Sequence, residues 1–207
     1  MMRDMTTPCL RILVLGTGNR HKVDEIAPLL RAPGLALDLK AASDYGAFEP
    51  RETGSTLEEN ALIKAQAALE MSGEWSIADD TGLFVDALGD RPGIYAARYA
   101  GPGCTFDENM KKLLGEMQDV PPDKRTAIFV CVIALCRPGR PPQTFRGECK
   151  GVIATERHGG GGFGYDPLFR IAGLNKTFAE LTPEEKNRVS HRALATMLCR
   201  EELLRNA

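Results

Sequence analysis

Residues 10–30 read L-R-I-L-V-L-G-T-G-N-R-H-K-V-D-E-I-A-P-L-L. Residues 10–15 are apolar except for one arginine, and such a run predicts a buried β-strand. Residues 22–30 place apolar side chains at helical spacing, which predicts an amphipathic α-helix. A strand joined to a helix by a short glycine-containing loop is a building unit of α/β proteins. Residues 10–30 therefore predict an α/β protein.

The chain then continues to alternate. Residues 35–41 predict a second strand after a Pro-Gly turn. Thr56 and Glu59 have the spacing of a capping box, so we expect a helix that begins there and ends near Gly73. Residues 75–78 predict a short buried strand that ends directly before two aspartates.

The second half adds antiparallel strands. Thr105 begins a further helix, and residues 125–136 and 144–153 predict a hairpin across a turn rich in Pro and Gly. Thr182 and Pro183 begin the last helical region, since they form a cap and a first-turn proline. The whole pattern predicts an α/β fold with a mixed sheet.

The composition narrows the class of protein. The chain has 207 residues, 43% of them hydrophobic, and a net charge of −2 from 26 basic and 28 acidic residues. This balance gives no reason to expect nucleic-acid or membrane binding. Six cysteines without C-x-x-C or zinc spacing favour reduced thiols and a cytoplasmic protein. The length predicts one domain over residues 10–207 after a loose polar extension over residues 1–9.

The loop between the first strand and its helix is the first candidate site. A helix start offers free backbone N–H groups to an anion, and a lysine there adds a full positive charge. The loop matches neither the dinucleotide fingerprint nor the P-loop, and a plain structural turn is the alternative. The candidate residues are Thr17, Gly18, Asn19, Arg20, His21 and Lys22.

Two adjacent carboxylates, Asp79 and Asp80, form the second candidate. At the carboxyl end of a strand they favour Mg²⁺, which is held by one or two carboxylates together with substrate phosphates. A plain turn is the alternative. Asp80-Thr81-Gly82 also matches the active-site string of aspartic proteases, but Asp79 stands where those enzymes have an apolar residue.

The helix that begins at Thr56 carries a third group of charges. Asn60 and Lys64 lie four residues apart, on one broad face. Glu58 and Glu59 are explained equally well by complementation of the helix dipole.

A glycine-rich segment precedes the fourth candidate. Residues 159–162 are four glycines, followed by Phe163, Gly164, Tyr165 and Asp166. Aromatic rings beside such free backbone are able to stack on a nucleotide base, although each ring alone is as well explained as part of the core.

The helical region after Thr182 carries Lys186, His191 and Arg192. Lys186 and Arg192 would point about 240° apart on one continuous helix, so a single helix cannot direct both at one ligand. We therefore expect a break, with Ser190 capping a new helix whose free N–H groups face the site.

Together these strings resemble the inosine/xanthosine triphosphate pyrophosphatase family. They occur in the family's order from residue 12 to residue 198. They are Thr17-Gly18-Asn19 with Lys22, Glu52-Thr53-Gly54 through Glu59-Asn60-Ala61 and Lys64, Ala78-Asp79-Asp80-Thr81-Gly82-Leu83, Pro92-Gly93-Ile94-Tyr95 with Ala97-Arg98-Tyr99-Ala100-Gly101, Gly162 through Pro167, Phe178-Ala179-Glu180-Leu181, Glu185-Lys186-Asn187 and Ser190-His191-Arg192-Ala193.

The resemblance implies a fold and an activity. The fold is an elongated, mixed central sheet flanked by helices, with two lobes around a deep active-site cleft, usually as a homodimer. The activity is Mg²⁺-dependent hydrolysis of ITP, dITP and XTP to the monophosphate and pyrophosphate, which cleanses the nucleotide pool of non-standard purines.

The resemblance also implies roles for the matching residues. Asp80 would accept the proton of the attacking water and help to hold the metal, with Glu52 as a further metal-side carboxylate. The substrate-binding residues would be Thr17, Gly18, Asn19, Arg20, His21, Lys22, Lys64 and Thr81 around the phosphates, and Phe163, Gly164, Tyr165, Asp166, Lys186, His191 and Arg192 at the nucleoside end. Thr81 stands where the family usually has serine, and Gly16 and Ala96 also depart from its usual pattern.

Three other functions stay open on the sequence. A pyrophosphatase for modified pyrimidine nucleotides would share the same cleft. A nucleotide-sensing module would bind ITP without releasing pyrophosphate, although the Asp79-Asp80 pair argues against it. An RNA-binding or scaffolding protein is disfavoured by the net charge of −2. The sequence does not locate the group that would reject GTP. It also does not show whether Asp79 or a metal ion assists Asp80.

Overall fold

The computed structural model describes residues 10–206, so the extension predicted for residues 1–9 lies outside the described residues. Within this range the chain forms seven strands and five α-helices. The strands are β1 (Arg11–Leu15), β2 (Leu37–Ala41), β3 (Trp75–Val85), β4 (Arg91–Gly93), β5 (Thr126–Arg137), β6 (Arg140–Ile153) and β7 (Phe169–Ile171). The helices are α1 (Arg20–Leu30), α2 (Leu57–Ser72), α3 (Phe106–Glu116), α4 (Pro183–Val189) and α5 (His191–Arg205).

All seven strands belong to one sheet. Its order is β2-β1-β3-β5-β6-β7, and β4 pairs with the far end of β3. β1 runs parallel to both β2 and β3, whereas β3, β5, β6 and β7 pair antiparallel. The predicted mixed α/β sheet with flanking helices is therefore confirmed.

The strand predicted over residues 75–78 is present, but the predicted end is wrong. β3 continues through Asp79 and Asp80 to Val85, because β5 pairs with it over that whole length. Thr81 and Gly82, which suggest a turn in the sequence, are held in extended conformation by their pairing with β5. The parallel pairing with β1 ends at Ile77, so the two carboxylates lie just beyond the end of β1 on a strand that runs on.

The predicted helix boundaries are confirmed where caps define them. Thr56 Oγ1 accepts a hydrogen bond from the Glu59 backbone N–H, and Gly73 ends α2 in the left-handed conformation. The expected break is also present, since α4 ends at Val189 and Ser190 caps α5 through the Ala193 N–H.

Alternating side chains of β5 divide the core between the two faces of the sheet. Cys131, Ile133 and Leu135 pack with side chains of α1 and α5. Val130 and Val132 pack with α2 on the opposite face. A third cluster lies at the far end of β3 and β5, under α3 and β7. The cavity described below draws residues from all of these regions.

None of the helices in residues 10–206 has both the length and the hydropathy needed to cross a membrane.

Candidate active site

A cavity of about 310 Å³ lies over the middle of β3. It brings together most of the residues that the sequence singles out, with Lys22, Asp80 and Arg192 in one hollow. The predicted residues that line it are Thr17, Gly18, Asn19, Lys22, Glu52, Lys64, Asp80, Thr81, Phe163, Gly164, Tyr165, Asp166, His191 and Arg192.

Three predicted residues lie outside this cavity. The Arg20 side chain is exposed and is not part of its lining. His21 and Lys186 line an adjoining cavity of about 330 Å³. Phe163 is shared by both cavities and forms part of the wall between them.

The loop after β1 is shaped by its own side chains. Asn19 caps α1, because its Oδ1 accepts a hydrogen bond from the His21 N–H at 3.0 Å. Thr17 Oγ1 accepts one from the Asn19 N–H at 3.1 Å. These contacts hold the loop open at the N-terminus of α1, where an anion is favoured. Lys22, in the first turn, adds its charge to that position.

Lys64 lies between two carboxylates at one end of the cavity. Its Nζ is 2.7 Å from Asp80 Oδ1 and 2.8 Å from Glu52 Oε1. Burial alone would lower the pKa of Lys64, but Asp80 and Asp79 outweigh that effect and raise it. The lysine is therefore a fixed positive charge beside Asp80.

The neighbouring aspartates have different surroundings because their side chains leave opposite faces of β3. Asp79 is fully buried, and Lys22 and Arg192 outweigh the cost of burial to hold its pKa far below the usual range. Asp80 lines the cavity, and burial raises its pKa despite the nearby Lys64. Asp79 is a permanent counter-ion, whereas Asp80 is the stronger base.

A network of alternating charges forms the other end of the site. Arg192 and Lys186 both donate to the carboxylate of Glu25, and Lys186 Nζ also donates to Asp166 Oδ2 at 2.6 Å. Glu25 is not among the residues that the sequence motifs single out. Its position one helical turn after Lys22, on the same face of α1, is the signal that would have found it.

Phe163 stands at the boundary of the two cavities. The His21 ring stacks on it with centroids 5.2 Å apart and planes 15° apart. The Phe163 N–H donates to Asp166 Oδ2 at 2.8 Å, and Gly162 before it has a φ of 71°. A side chain at Gly162 would strike the Asp166 carboxylate, so glycine is required there.

The Tyr165 ring is packed inside the protein and has no open face on which a base could stack. It is buried, and its hydroxyl donates to the Ala96 carbonyl at 2.9 Å. The alternative that this ring belongs to the core therefore describes it better. The ring available for stacking on a base is that of Phe163, which is only partly buried.

His191 presents a neutral imidazole to the cavity. Its ring stacks on Phe129 with centroids 4.5 Å apart and planes 6° apart. Burial and the charge of Arg192 hold the pKa of His191 well below its usual range. Its Nδ1 is buried and has no hydrogen-bond partner among residues 10–206. This free nitrogen is suited to a hydrogen bond with a bound ligand.

A metal ion would find only a partial protein cage here. No group of three or more His, Cys, Asp or Glu side chains with metal-binding geometry occurs within the described part of the chain. Asp80 Oδ2 is buried and lacks a hydrogen-bond partner among these residues, and Glu52 is linked to Asp80 through Lys64. Glu59 is directed away, since its carboxylate accepts from Ser55.

The sequence and the fold are similar to those of known proteins. A relative from Geobacter sulfurreducens named dITP/XTP pyrophosphatase is 48% identical, over 92% of this chain and 96% of its own length. A relative of the same name from Photorhabdus laumondii is 49% identical, over 94% and 98%. The structure of the Staphylococcus aureus Ham1 protein has a TM-score of 0.85 at 37% identity, covering 95% of this chain and 100% of that one. The model of the Ham1 family matches residues 13–202. The chain therefore belongs to the Ham1 family.

Proposed function

We propose that this protein hydrolyses non-standard purine nucleoside triphosphates, namely dITP, ITP and XTP, to the monophosphate and pyrophosphate. The observation that carries the proposal is the single cavity that holds Lys22, Lys64 and Asp80 at one end and Phe163 and Arg192 at the other. The names of the relatives from Geobacter and Photorhabdus support the same substrates.

Asp80 is suited to activate the attacking water. In the reaction, the water oxygen forms a bond to the α-phosphorus as the bond to the α–β bridging oxygen breaks. Asp80 takes the water proton, and pyrophosphate leaves with the bridging oxygen. A carboxylate whose pKa is raised by burial is a stronger base than an ordinary aspartate, so Asp80 fits the role better than Asp79.

Lys64 and Lys22 are suited to absorb the charge of the phosphates. Both lysines line the cavity, and Lys64 is directly beside Asp80. Their attraction for the phosphates increases as the leaving group gains negative charge, and stabilisation that is greater in the transition state lowers the barrier. Thr17 and Asn19 hold the shape of the loop that lines the same part of the cavity as Lys22.

The residues present fit Mg²⁺. Glu52 and Asp80 would hold it, because an unpartnered buried oxygen on Asp80 is available and Mg²⁺ uses one or two carboxylates together with water and phosphates. When bound, the ion would supply charge neutralisation at the phosphoanhydride.

Selectivity would come from donors at the nucleoside end. Inosine and xanthosine carry a 6-oxo group where adenosine carries an amine. Arg192 offers donors that pair with the oxo group but would face another donor in adenine, and an unpaired buried polar group costs about 1–3 kcal/mol. His191 Nδ1 offers a second point of contact.

The location, the oligomeric state and the partners are part of the same proposal. The chain would act in the cytoplasm as a homodimer on a small-molecule nucleotide, with no nucleic-acid or membrane partner. Free thiols at the five described cysteines support a reducing compartment. Light scattering of the purified protein tests the dimer.

The direct test is pyrophosphate release from dITP, ITP, XTP, ATP and GTP, with and without Mg²⁺. We expect release from the first three in Mg²⁺ and little from ATP. Asp80→Asn should be inactive, and Asp86→Asn is its matched control, because Asp86 is an exposed aspartate just after β3 that does not line the cavity.

Two rival functions give different results in the same assay. A pyrimidine-directed enzyme would prefer methylated pyrimidine triphosphates over dITP. A nucleotide sensor would bind ITP without releasing pyrophosphate. Either result would overturn the proposal.

A further inference from the structure

Ten charged side chains of the site form ion pairs with one another, and five of them are positive and five negative. The cations are Arg98, Lys64, Lys22, Arg192 and Lys186, and the anions are Glu52, Asp80, Asp79, Glu25 and Asp166. A nucleoside triphosphate brings several negative charges into this neutral set. A cation that exchanges a carboxylate partner for phosphate would offset part of this charge when the substrate enters.

Arg98 is the cation that exchanges most readily. Its side chain is 42% exposed, against 9% for Lys64 and 16% for Lys22. Its carboxylate contact is also the longest at this end, with Arg98 Nη1 3.4 Å from Glu52 Oε2. An exposed ion pair of that length contributes little, so breaking it costs little.

The backbone that carries Arg98 is held firmly while its side chain is not. Arg98 ends a turn of 3-10 helix at Ala96–Arg98. The buried Asn109 side chain donates to the Ala97 carbonyl and accepts from the Ala100 N–H, on either side of Arg98. Beyond Glu52, the guanidinium lies over the exposed Tyr95 ring, at 5.2 Å from its centroid.

Arg98 also lines the same cavity as Lys22, Lys64 and Asp80. It lies on the outer side of Glu52, and Lys64 lies on the inner side. Phosphates that extend from Asp80 past Lys64 would reach Arg98 next. A guanidinium presents a fork of donors that matches phosphate oxygens in pairs, which a lysine ammonium does not.

We propose that Arg98 is a ligand for the terminal phosphates of the substrate and for the pyrophosphate product, which it binds by exchanging Glu52 for phosphate oxygens. This inference rests on the proposed function, since it assigns the pyrophosphate end of that same site. Release of Glu52 would at the same time leave one of its oxygens free on the metal side of the cavity.

The test compares two probes that differ in the phosphates they carry. Binding of inorganic pyrophosphate without metal and of inosine monophosphate is measured by calorimetry for the wild type, Arg98→Ala, Arg98→Lys and Arg146→Ala. Arg146 is the matched control, because it is an arginine of similar exposure, in a surface ion pair with Glu58, that does not line the cavity.

Arg98→Ala should weaken pyrophosphate binding about ten- to hundredfold and leave monophosphate binding within about twofold of the wild type. Arg98→Lys should give an intermediate loss, and Arg146→Ala none. The KM for dITP should rise in Arg98→Ala.

Three results would overturn the inference. These are unchanged pyrophosphate binding in Arg98→Ala, an equal loss for both probes, and a changed Mg²⁺ requirement with normal pyrophosphate binding, which would mean that Arg98 only positions Glu52. Failure of the proposed function looks different, since the wild type would then release no pyrophosphate from any purine triphosphate. The metal-free binding comparison still decides the role of Arg98 in that case.

Discussion

Arg192 and Asp79 are 113 residues apart in the sequence, yet Arg192 Nε lies 3.3 Å from Asp79 Oδ2. The same carboxylate oxygen lies 3.0 Å from Lys22 Nζ. One buried aspartate thus neutralises two cations that both line the cavity. These two cations are held close together by a residue that does not itself line the cavity.

Asp79→Asn should destabilise the protein by about 3–5 kcal/mol at neutral pH, because it removes the carboxylate that neutralises Lys22 and leaves the buried Arg192 paired with Glu25 alone. The folded protein lowers the pKa of Asp79, so the stabilisation is present above the pKa of the unfolded chain and is lost as pH falls below it. Chemical denaturation at several pH values checks this. The gap between variant and wild type should narrow towards acid pH, and a constant gap would contradict the assignment.

Asp80→Asn should lower kcat by about 10²- to 10⁴-fold, because the amide cannot accept the proton of the attacking water. Binding of ITP without metal should change little. Steady-state kinetics and calorimetry measure the two quantities. A variant with near-normal kcat would show that Asp80 is not the base.

The pH profile of kcat/KM should have an acid limb governed by Asp80. Burial raises the pKa of Asp80, and the base works only when it is ionised. As the pH is lowered, kcat/KM should therefore begin to fall at a higher pH than it would with an ordinary aspartate. The nearest cation, Lys64, lowers the pKa of Asp80. Lys64→Gln removes this effect and should therefore move the acid limb to higher pH. An acid limb in the same position in both proteins would mean that another group controls it.

Arg192→Lys should lower the preference for ITP over ATP about five- to 150-fold, because the lysine lacks the planar set of donors for a 6-oxo group. Arg192→Ala should lower it further but also leaves Asp79 and Glu25 unpaired, so the lysine variant protects the test against misfolding. The ratio of kcat/KM for the two nucleotides is the measurement. Pyrophosphate affinity should stay near that of the wild type in Arg192→Lys.

Arg125→Met should lower thermal stability without touching the site. The buried Arg125 guanidinium donates to the carbonyls of Ile153, Met117 and Ala154 at 2.7, 2.6 and 3.0 Å, and methionine removes all three of these buried hydrogen bonds. At a cost of roughly 3 kcal/mol the melting temperature should fall by about 6–12 °C. Calorimetric melting checks this, with the exposed Arg188→Met as the control. An equal melting temperature in both variants would contradict the role of Arg125.

Local signals predicted the elements well where a side chain satisfies a backbone group. Four helix starts each have a cap residue whose side chain accepts a hydrogen bond from the N–H three residues later, so a few neighbouring residues are enough to predict them. The cap residues are Thr56, Thr105, Thr182 and Ser190. The end of β3 was missed because its partner, β5, lies about 50 residues further along the chain. No local pattern around Thr81 and Gly82 reports that pairing.

The candidate site divides in the same way. Short strings and their likeness to a known family brought Lys22, Asp80 and Arg192 into one prediction. They did not assign Glu25 or Arg98, because a charge on a helix or a turn looks the same in sequence whether it faces solvent or a ligand. They also placed His21 and Lys186 with the main cavity, although the ring of Phe163 stands between them and it.

The alternation of strands and helices and the caps at the helix starts follow from short stretches of sequence. The different roles of the adjacent Asp79 and Asp80, one a counter-ion and the other the stronger base, depend on contacts between distant parts of the chain. The physical reason is that neighbouring residues on a strand point to opposite faces of a sheet, so burial and the charges of distant residues set each pKa separately.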